Sequence, residues 1–367
     1  MSEIATLTGT IAPEDLGIVA FHEALLFGRP GWQHAPDAVF DRAEAFERIL
    51  GELAAFRKLG GRTIVETSGI AMGRNVPMYR RLSELSGVNI VSTTGFVSQE
   101  RSIPAHFCLI GYFYRGHGPF QWKRAIPGSP APSHVGTKEY MMFLFYNELT
   151  EGMAGPAMIR TSCRAALVRC GSGDAEITIA EQQAIRGAAM AARKTGVPVF
   201  SDGVGQVERQ FELLSAEGLP PERIVIGHCD DGRAVDLSRD MKYAALGAWI
   251  GYDHIGWESK PAPHAMPDEQ RAGLVKKMVD AGHASRVVLS CSAIGYGLGM
   301  PATRHGYSHL LNSFVPRLAK AGVGDSALHA MLVENPKRIL TPVEPTDKDA
   351  DRLHEFAQGF RLPMKGS

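Results

Sequence analysis

Eight short runs of β-branched and aliphatic residues punctuate the 367-residue chain. They are Gly17–His22, Arg62–Glu66, Asn89–Thr94, Ala165–Cys170, Val197–Ser201, Arg223–His228, Ala248–Tyr252 and Arg286–Cys291. Between them, Asp41–Leu59, Met78–Ser86, Ile179–Thr195 and Gln206–Ala216 are amphipathic at helical spacing. Strands that alternate with helices predict parallel βα units. Eight such units close naturally into a barrel. The expectation is therefore an α/β fold, a single (β/α)8 TIM barrel formed by one domain over residues 1–367, in preference to an open doubly wound sheet. No Gly-x-Gly-x-x-Gly follows the first run, which weakens a nucleotide-binding alternative.

Barrels of this kind carry their chemistry at the carboxyl ends of the strands. His22 closes the first run within Ala20-Phe21-His22-Glu23-Ala24 and is placed for it. Two longer connections, Gly116–Gly136 and Gly256–Glu269, read as parts of the same rim, the second as a lid. Packing or subunit contact is the competing reading for both. A last helix is expected at Asp347–Phe360.

Charge bounds the partners. Lys and Arg total 39 and Asp and Glu total 39, with no basic run. This balance argues against nucleic acid or a membrane surface and leaves a small-molecule substrate. No apolar run approaches the roughly 20 residues that span a bilayer. The N-terminus lacks the basic and apolar segments of a signal peptide, so a cytoplasmic location is expected. The five cysteines, Cys108, Cys163, Cys170, Cys229 and Cys291, lack C-x-x-C spacing and read as reduced thiols.

A set of motifs appears in order. Gly61-Arg62-Thr63-Ile64-Val65-Glu66 is followed by Gly73-Arg74-Asn75-Val76 and Val91-Ser92-Thr93-Thr94-Gly95-Phe96. Gly196-Val197-Pro198-Val199, Arg223-Ile224-Val225-Ile226-Gly227-His228-Cys229-Asp230-Asp231 and Ile250-Gly251-Tyr252-Asp253-His254-Ile255 come later, then Asn335-Pro336-Lys337-Arg338-Ile339-Leu340. Together they resemble the phosphotriesterase family of the amidohydrolase superfamily, which includes phosphotriesterases and related lactonases. The resemblance implies a TIM barrel, a homodimer, and hydrolysis of phosphoesters or lactones with two divalent metals.

The ligand positions that the resemblance implies are only partly kept. The two first-strand histidines fall on His22 and Ala24. The bridging fourth-strand lysine falls on Arg169, and the fifth-strand histidine on Asp202. The sixth-strand histidine is His228, and the eighth-strand aspartate falls on Ser292. An arginine stays protonated and repels a divalent ion. The expectation is that Arg169, paired with Asp202, replaces the metal charge, or that the pair is purely architectural.

The proton relay implied by the resemblance falls on Ser292, His254 and Asp231. A hydroxyl, an imidazole and a carboxylate in line make a nucleophilic triad. In that reading Ser292 attacks an ester or lactone carbonyl, His254 takes its proton and Asp231 orients the ring. Arg169 joins them as a catalytic residue, binding the oxyanion or a substrate carboxylate. His22, Asp202, His228, Tyr252 and Trp257 are the candidate substrate-binding residues, and no cofactor is expected. Phe27, Trp32 and Phe96 extend an aromatic rim, or else belong to the core. Cys170, Cys229 and Cys291 read as buried and inert, Asp230 as a solvated loop or cap residue. Glu23 faces the sheet–helix layer or a neighbouring amide. Three alternatives remain open. One is a mononuclear lactonase or esterase with zinc or another divalent metal on His22, Asp202 and His228, with Asp253 as a possible fourth ligand. The second is a metal-free lyase or isomerase using Arg169 and His254. The third is an inactive binding protein.

Overall fold

The computed structural model describes residues 3–108, 137–156, 159–173, 175–202, 204, 206–259 and 265–347. The expected rim segment Gly116–Gly136 lies outside the described residues. So do 260–264 of the expected lid and nearly all of the expected last helix.

A short antiparallel hairpin, β1 (Ile4–Thr6) and β2 (Gly9–Ile11), opens the chain. The barrel follows: β3 (Ile18–Phe27), β4 (Gly61–Glu66), β5 (Asn89–Gly95), β6 (Leu167–Gly171), β7 (Val199–Asp202), β8 (Ile224–Gly227), β9 (Trp249–Tyr252), β10 (Val287–Leu289) and β11 (Ile294–Gly297). Neighbours pair in parallel in the order β10-β9-β8-β7-β6-β5-β4-β3-β11. The two ends of that order, β10 and β11, are halves of one interrupted eighth strand. β10 pairs with β9, and β11 pairs with β3. Hydrogen bonds from Ser292 N to the His22 carbonyl (3.0 Å) and from Ala24 N to the Ala293 carbonyl (2.8 Å) close the seam. The fold is the expected (β/α)8 barrel. The split of the eighth strand was not expected, and the active-site side chains of that strand sit in the break.

Two apolar layers sandwich the strands. Inside the barrel, Val19, Phe21, Val65, Val91, Leu167, Phe200, Val225, Trp249 and Val288 pack together. Ile4 and Leu16 from the amino-terminal segment, with Ile339 and Leu340, belong to the same cluster. Outside, residues such as Ala20, Ile64, Val168, Ile226, Ile250 and Tyr252 face the helices. This is the period of two expected of strands covered on both faces. The helices carry their own boundary signals. Ile179–Thr195 starts on a Thr178/Glu181 capping box and stops at the left-handed Gly196. At Gly95 (φ 101°) a Cβ would lie 2.0 Å from the Arg169 carbonyl oxygen, so only glycine lets β5 run this close to the strand bearing Arg169.

Arg74 ties the loop after β4 to the helix Lys138–Thr150. Its guanidinium grips Glu148 in two bonds, of 2.6 and 2.8 Å, and reaches the Thr93 carbonyl at 3.0 Å. Both side chains are buried. Removing one partner of such a pair strands the other charge, so Arg74→Ala should cost about 3–5 kcal/mol in urea unfolding. Replacing both, as Arg74→Met with Glu148→Leu, should recover most of that loss.

Candidate active site

Seven of the candidate residues meet at the carboxyl ends of the strands, around one cavity of about 270 Å³. His22, Arg169, His228, Asp231, His254, Trp257 and Ser292 line it. Asp202 is buried beside it, bonded to Arg169. Arg29, Arg101 and Arg233 from the loops complete the polar lining, beside the apolar Phe27, Val204, Ile294 and Met300.

A chain of buried charges forms the floor. Arg169 donates from Nε to Asp202 Oδ1 (3.1 Å), from Nη2 to Asp202 Oδ2 (2.9 Å), and from Nη1 to the Thr67 carbonyl. Asp202 Oδ1 also lies 3.3 Å from His228 Nε2. The other ring nitrogen, His228 Nδ1, lies 2.7 Å from Asp253 Oδ1. Burial would lower the proton affinity of His228, but Asp253 and Asp202 outweigh it and raise its pKa to about 10. Burial would raise that of Asp202, but Arg169 and then His228 hold it far below the usual carboxylate range. The floor is thus a fixed alternation of cations and anions. His22 responds in the opposite sense. Burial, then the positive charges of Arg169 and His228, press it well below an ordinary histidine, so its ring is neutral.

Ser292 sits in the break of the eighth strand at φ 44°, an unusual angle for a residue with a side chain. Glu23 holds it there. Glu23 Oε1 accepts from Cys291 N (2.9 Å) and Ser290 Oγ (2.7 Å), and Oε2 accepts from Ala293 N (2.6 Å). One buried carboxylate therefore grips both neighbours of Ser292. Burial raises the Glu23 pKa to about 8, against the pull of these donors. The Ser290 hydroxyl also accepts the His22 amide at 2.7 Å. As a result, Ser292 Oγ lies 2.8 Å from His22 Nδ1. The hydroxyl meets His22 and not His254, the partner anticipated from sequence. A register shift between Ala20 and Glu23 lets both Phe21 and His22 turn inward, which strict alternation would forbid.

His254 forms part of a stack. Its ring lies 4.5 Å from that of His228 and 4.1 Å from that of Trp257, nearly parallel to both. His254 Nδ1 lies 3.5 Å from Asp231 Oδ2, and Asp231 also accepts from Arg233 Nε at 2.9 Å.

Two further sequence expectations need correction, and one open alternative is decided. Tyr252 does not face the cavity. Alternation along β9 sends it outward with Ile250, and its hydroxyl donates to Asp240 at 2.9 Å. For Phe96, left open as rim or core, the structure shows the outer core, against Phe107 and Phe145. Asp230 is not solvated. It is wholly buried, accepts the amides of Asp253 and His254, and pairs with Arg271 at 3.1 Å. The thiols of Cys170, Cys229 and Cys291 are buried, and burial pushes each up in pKa, away from the reactive thiolate. Sequence reasoning missed Arg29, Arg101 and Arg233. Loop arginines carry no periodic signal that would single them out.

A closed barrel with titratable side chains gathered at its carboxyl-terminal mouth is an enzyme architecture. The family model that matches residues 2–107 and 128–340 is the phosphotriesterase family, and the chain belongs to it, within the amidohydrolase superfamily. It is a hydrolase. A phosphotriesterase homology protein of Mycobacterium tuberculosis is 27% identical over 350 residues, covering 92% of this chain and 98% of the relative. An N-acetyltaurine hydrolase of Xenopus tropicalis is 24% identical, covering 82% and 78%. A variant of an organophosphorus hydrolase from Deinococcus radiodurans superposes with a TM-score of 0.77 at 28% identity, covering 93% of this chain and 97% of that one.

Two measurements probe the site. The His228 pKa is raised in the folded state, so its contribution to stability is complete below about pH 6.5 and is lost as pH rises through about 10. Urea unfolding followed between those limits should show that decline, and Asp253→Asn should flatten it. Glu23→Gln puts an amide N–H₂ against a backbone N–H. It should lower stability by about 1–3 kcal/mol and reduce turnover together with it.

Proposed function

We propose that this chain hydrolyses an ester or lactone of a small molecule by acyl transfer to Ser292, without the metal pair usual in its family. The observation that carries the reading is the 2.8 Å contact between Ser292 Oγ and His22 Nδ1. With the ring proton on Nε2, Nδ1 accepts the serine proton as Oγ attacks the carbonyl carbon. The general-base role thus passes from His254, where the sequence put it, to His22. Three of the five N–H donors of Arg169 are committed to Asp202 and Thr67. The remaining two are the donors this reading assigns to developing negative charge on the carbonyl oxygen. As the tetrahedral adduct collapses, the leaving alkoxide takes a proton from the His22 imidazolium. Water then adds to the acyl-serine ester by the same route and frees the acid. His254, backed by Asp231, lines the same cavity and is a second proton carrier on the leaving-group side. The relative named for N-acetyltaurine hydrolysis cleaves an amide, a reaction that proceeds through the same kind of tetrahedral oxyanion.

The residues present do not fit a two-metal centre. Ala24 offers no donor atom and Ser292 only a neutral hydroxyl. The Arg169 cation lines the same cavity, its guanidinium bonded to Asp202 and to the Thr67 carbonyl. A single cation has one observation in its favour. Donor atoms of His22, Asp202 and His228 lie within 4.8 Å of one another, and His22 Nε2 is buried with no hydrogen-bond partner. Against it, both oxygens of Asp202 are already bonded by Arg169.

Metal analysis and kinetics separate the two. Ser292→Ala and His22→Asn should each lower kcat/KM for an activated aryl ester by about 10³-fold or more, while prolonged chelation leaves the wild type active. A serine-directed phosphonate should label Ser292. Stoichiometric metal on which turnover depends would replace this reading with the mononuclear one.

A further inference from the structure

The cavity wall carries four guanidinium groups and one carboxylate. Two of the four are compensated. Arg169 is bonded to Asp202, and Arg233 to Asp231. Arg29, on the loop after β3, and Arg101, on the loop after β5, form no ion pair among the described residues. Arg29 is exposed and Arg101 half-buried, whereas Arg169 is buried, so the two uncompensated charges occupy the outer part of the cavity. Like charges drawn to one concave wall repel, and a concave wall focuses their field. A bound anion removes that repulsion.

From this arrangement we propose that the substrate carries an anionic group, a carboxylate, sulfonate or phosphate, held at the cavity mouth by Arg29 and Arg101. The proposal deepens the hydrolase reading and rests on it for the word substrate. Guanidinium forks suit planar or tetrahedral oxyanions in two-bond contacts. Phe27, Ile294 and Met300 line the same space and suit an apolar connector. The ligand class is therefore a compact ω-anionic ester or lactone whose carbonyl end reaches Ser292 while its charge stays outside.

The test pairs two aryl esters of equal chain length, one ending in a carboxylate and one in a methyl ester, with a direct binding measurement. The wild type should favour the anionic ester in kcat/KM, and added salt should erode that preference. In Arg29→Gln/Arg101→Gln, the ratio of anionic to neutral kcat/KM should fall by about 10- to 100-fold, mainly through KM, and Arg29→Lys/Arg101→Lys should restore part of it. Circular dichroism and thermal unfolding of each variant confirm that it folds. Calorimetric binding of the corresponding aliphatic dicarboxylate to wild type and double variant reads the anion site without turnover. Loss of dicarboxylate binding in the double variant supports the site even if no ester is cleaved, in which case the hydrolase reading alone fails. An unchanged ratio, with unchanged dicarboxylate binding, overturns the proposal and leaves the hydrolase reading standing.

Discussion

The Arg169–Asp202 pair governs the barrel mouth. It is buried, forked and bonded a third time to the Thr67 carbonyl. A buried ion pair of this kind gains little over an apolar substitute, and its loss on one side is costly. Its importance here lies in what it imposes on its neighbours. It keeps Asp202 ionised, Asp202 helps keep His228 charged, and Asp253 completes the charge balance from the far side of the His228 ring. Burial first, and then the positive charges of Arg169 and His228, hold His22 neutral. Arg169, Asp202, His228 and Asp253 thus form a fixed array of protein charges, with one neutral imidazole, His22, among them.

That imidazole is useful only if something is held against it, and the eighth strand supplies this. Continuing as regular β structure, it would give Ser292 an ordinary backbone angle and turn its hydroxyl elsewhere. Instead the strand breaks for four residues, and Glu23 takes the hydrogen bonds that a continuous ladder would have made. His228, at φ 57°, is held in the same way by Asp253, which accepts its backbone amide. Strained angles of this kind persist only where the surroundings over-determine them. Both occur at residues facing the cavity, and each is fixed by a buried carboxylate, Glu23 on the adjacent β3 and Asp253 just past the end of the adjacent β9.

The barrel was legible in the sequence because strands buried on both faces read as compact β-branched runs with helical stretches between them. The same runs placed His22, Arg169, Asp202 and His228 at strand ends. What could not be read was contact. His22 and His254 were both available to Ser292, and only the register shift at Ala20–Glu23 decides between them. Tyr252 was open to inference, since alternation with Ile250 already turned it outward, but its place beside Asp253 and His254 outweighed the pattern. Asp230 looked solvated because Asp231 beside it faces the cavity. Its burial depends on Arg271, which is distant in sequence and unremarkable there. Loop arginines were invisible for a simpler reason. Their position depends on how the loops after β3 and β5 fold over the barrel mouth.

The charge layering of the cavity also constrains how any substrate must sit. Burial, and after it the positive charges of Arg169 and His228, hold His22 below an ordinary histidine. An anion placed deep, against those groups, would offset part of the charge contribution and raise the proton affinity of His22, which works against the acceptor role proposed for it. An anion at Arg29 and Arg101 lies farther out, toward solvent that screens it, and leaves the inner field intact. The inner half of the cavity therefore favours a neutral, polarisable carbonyl, and the outer half favours charge. Orientation then follows from electrostatics before any shape complementarity is considered. A substrate entering backwards would lose the pairing at the mouth and raise the proton affinity of His22 at the floor.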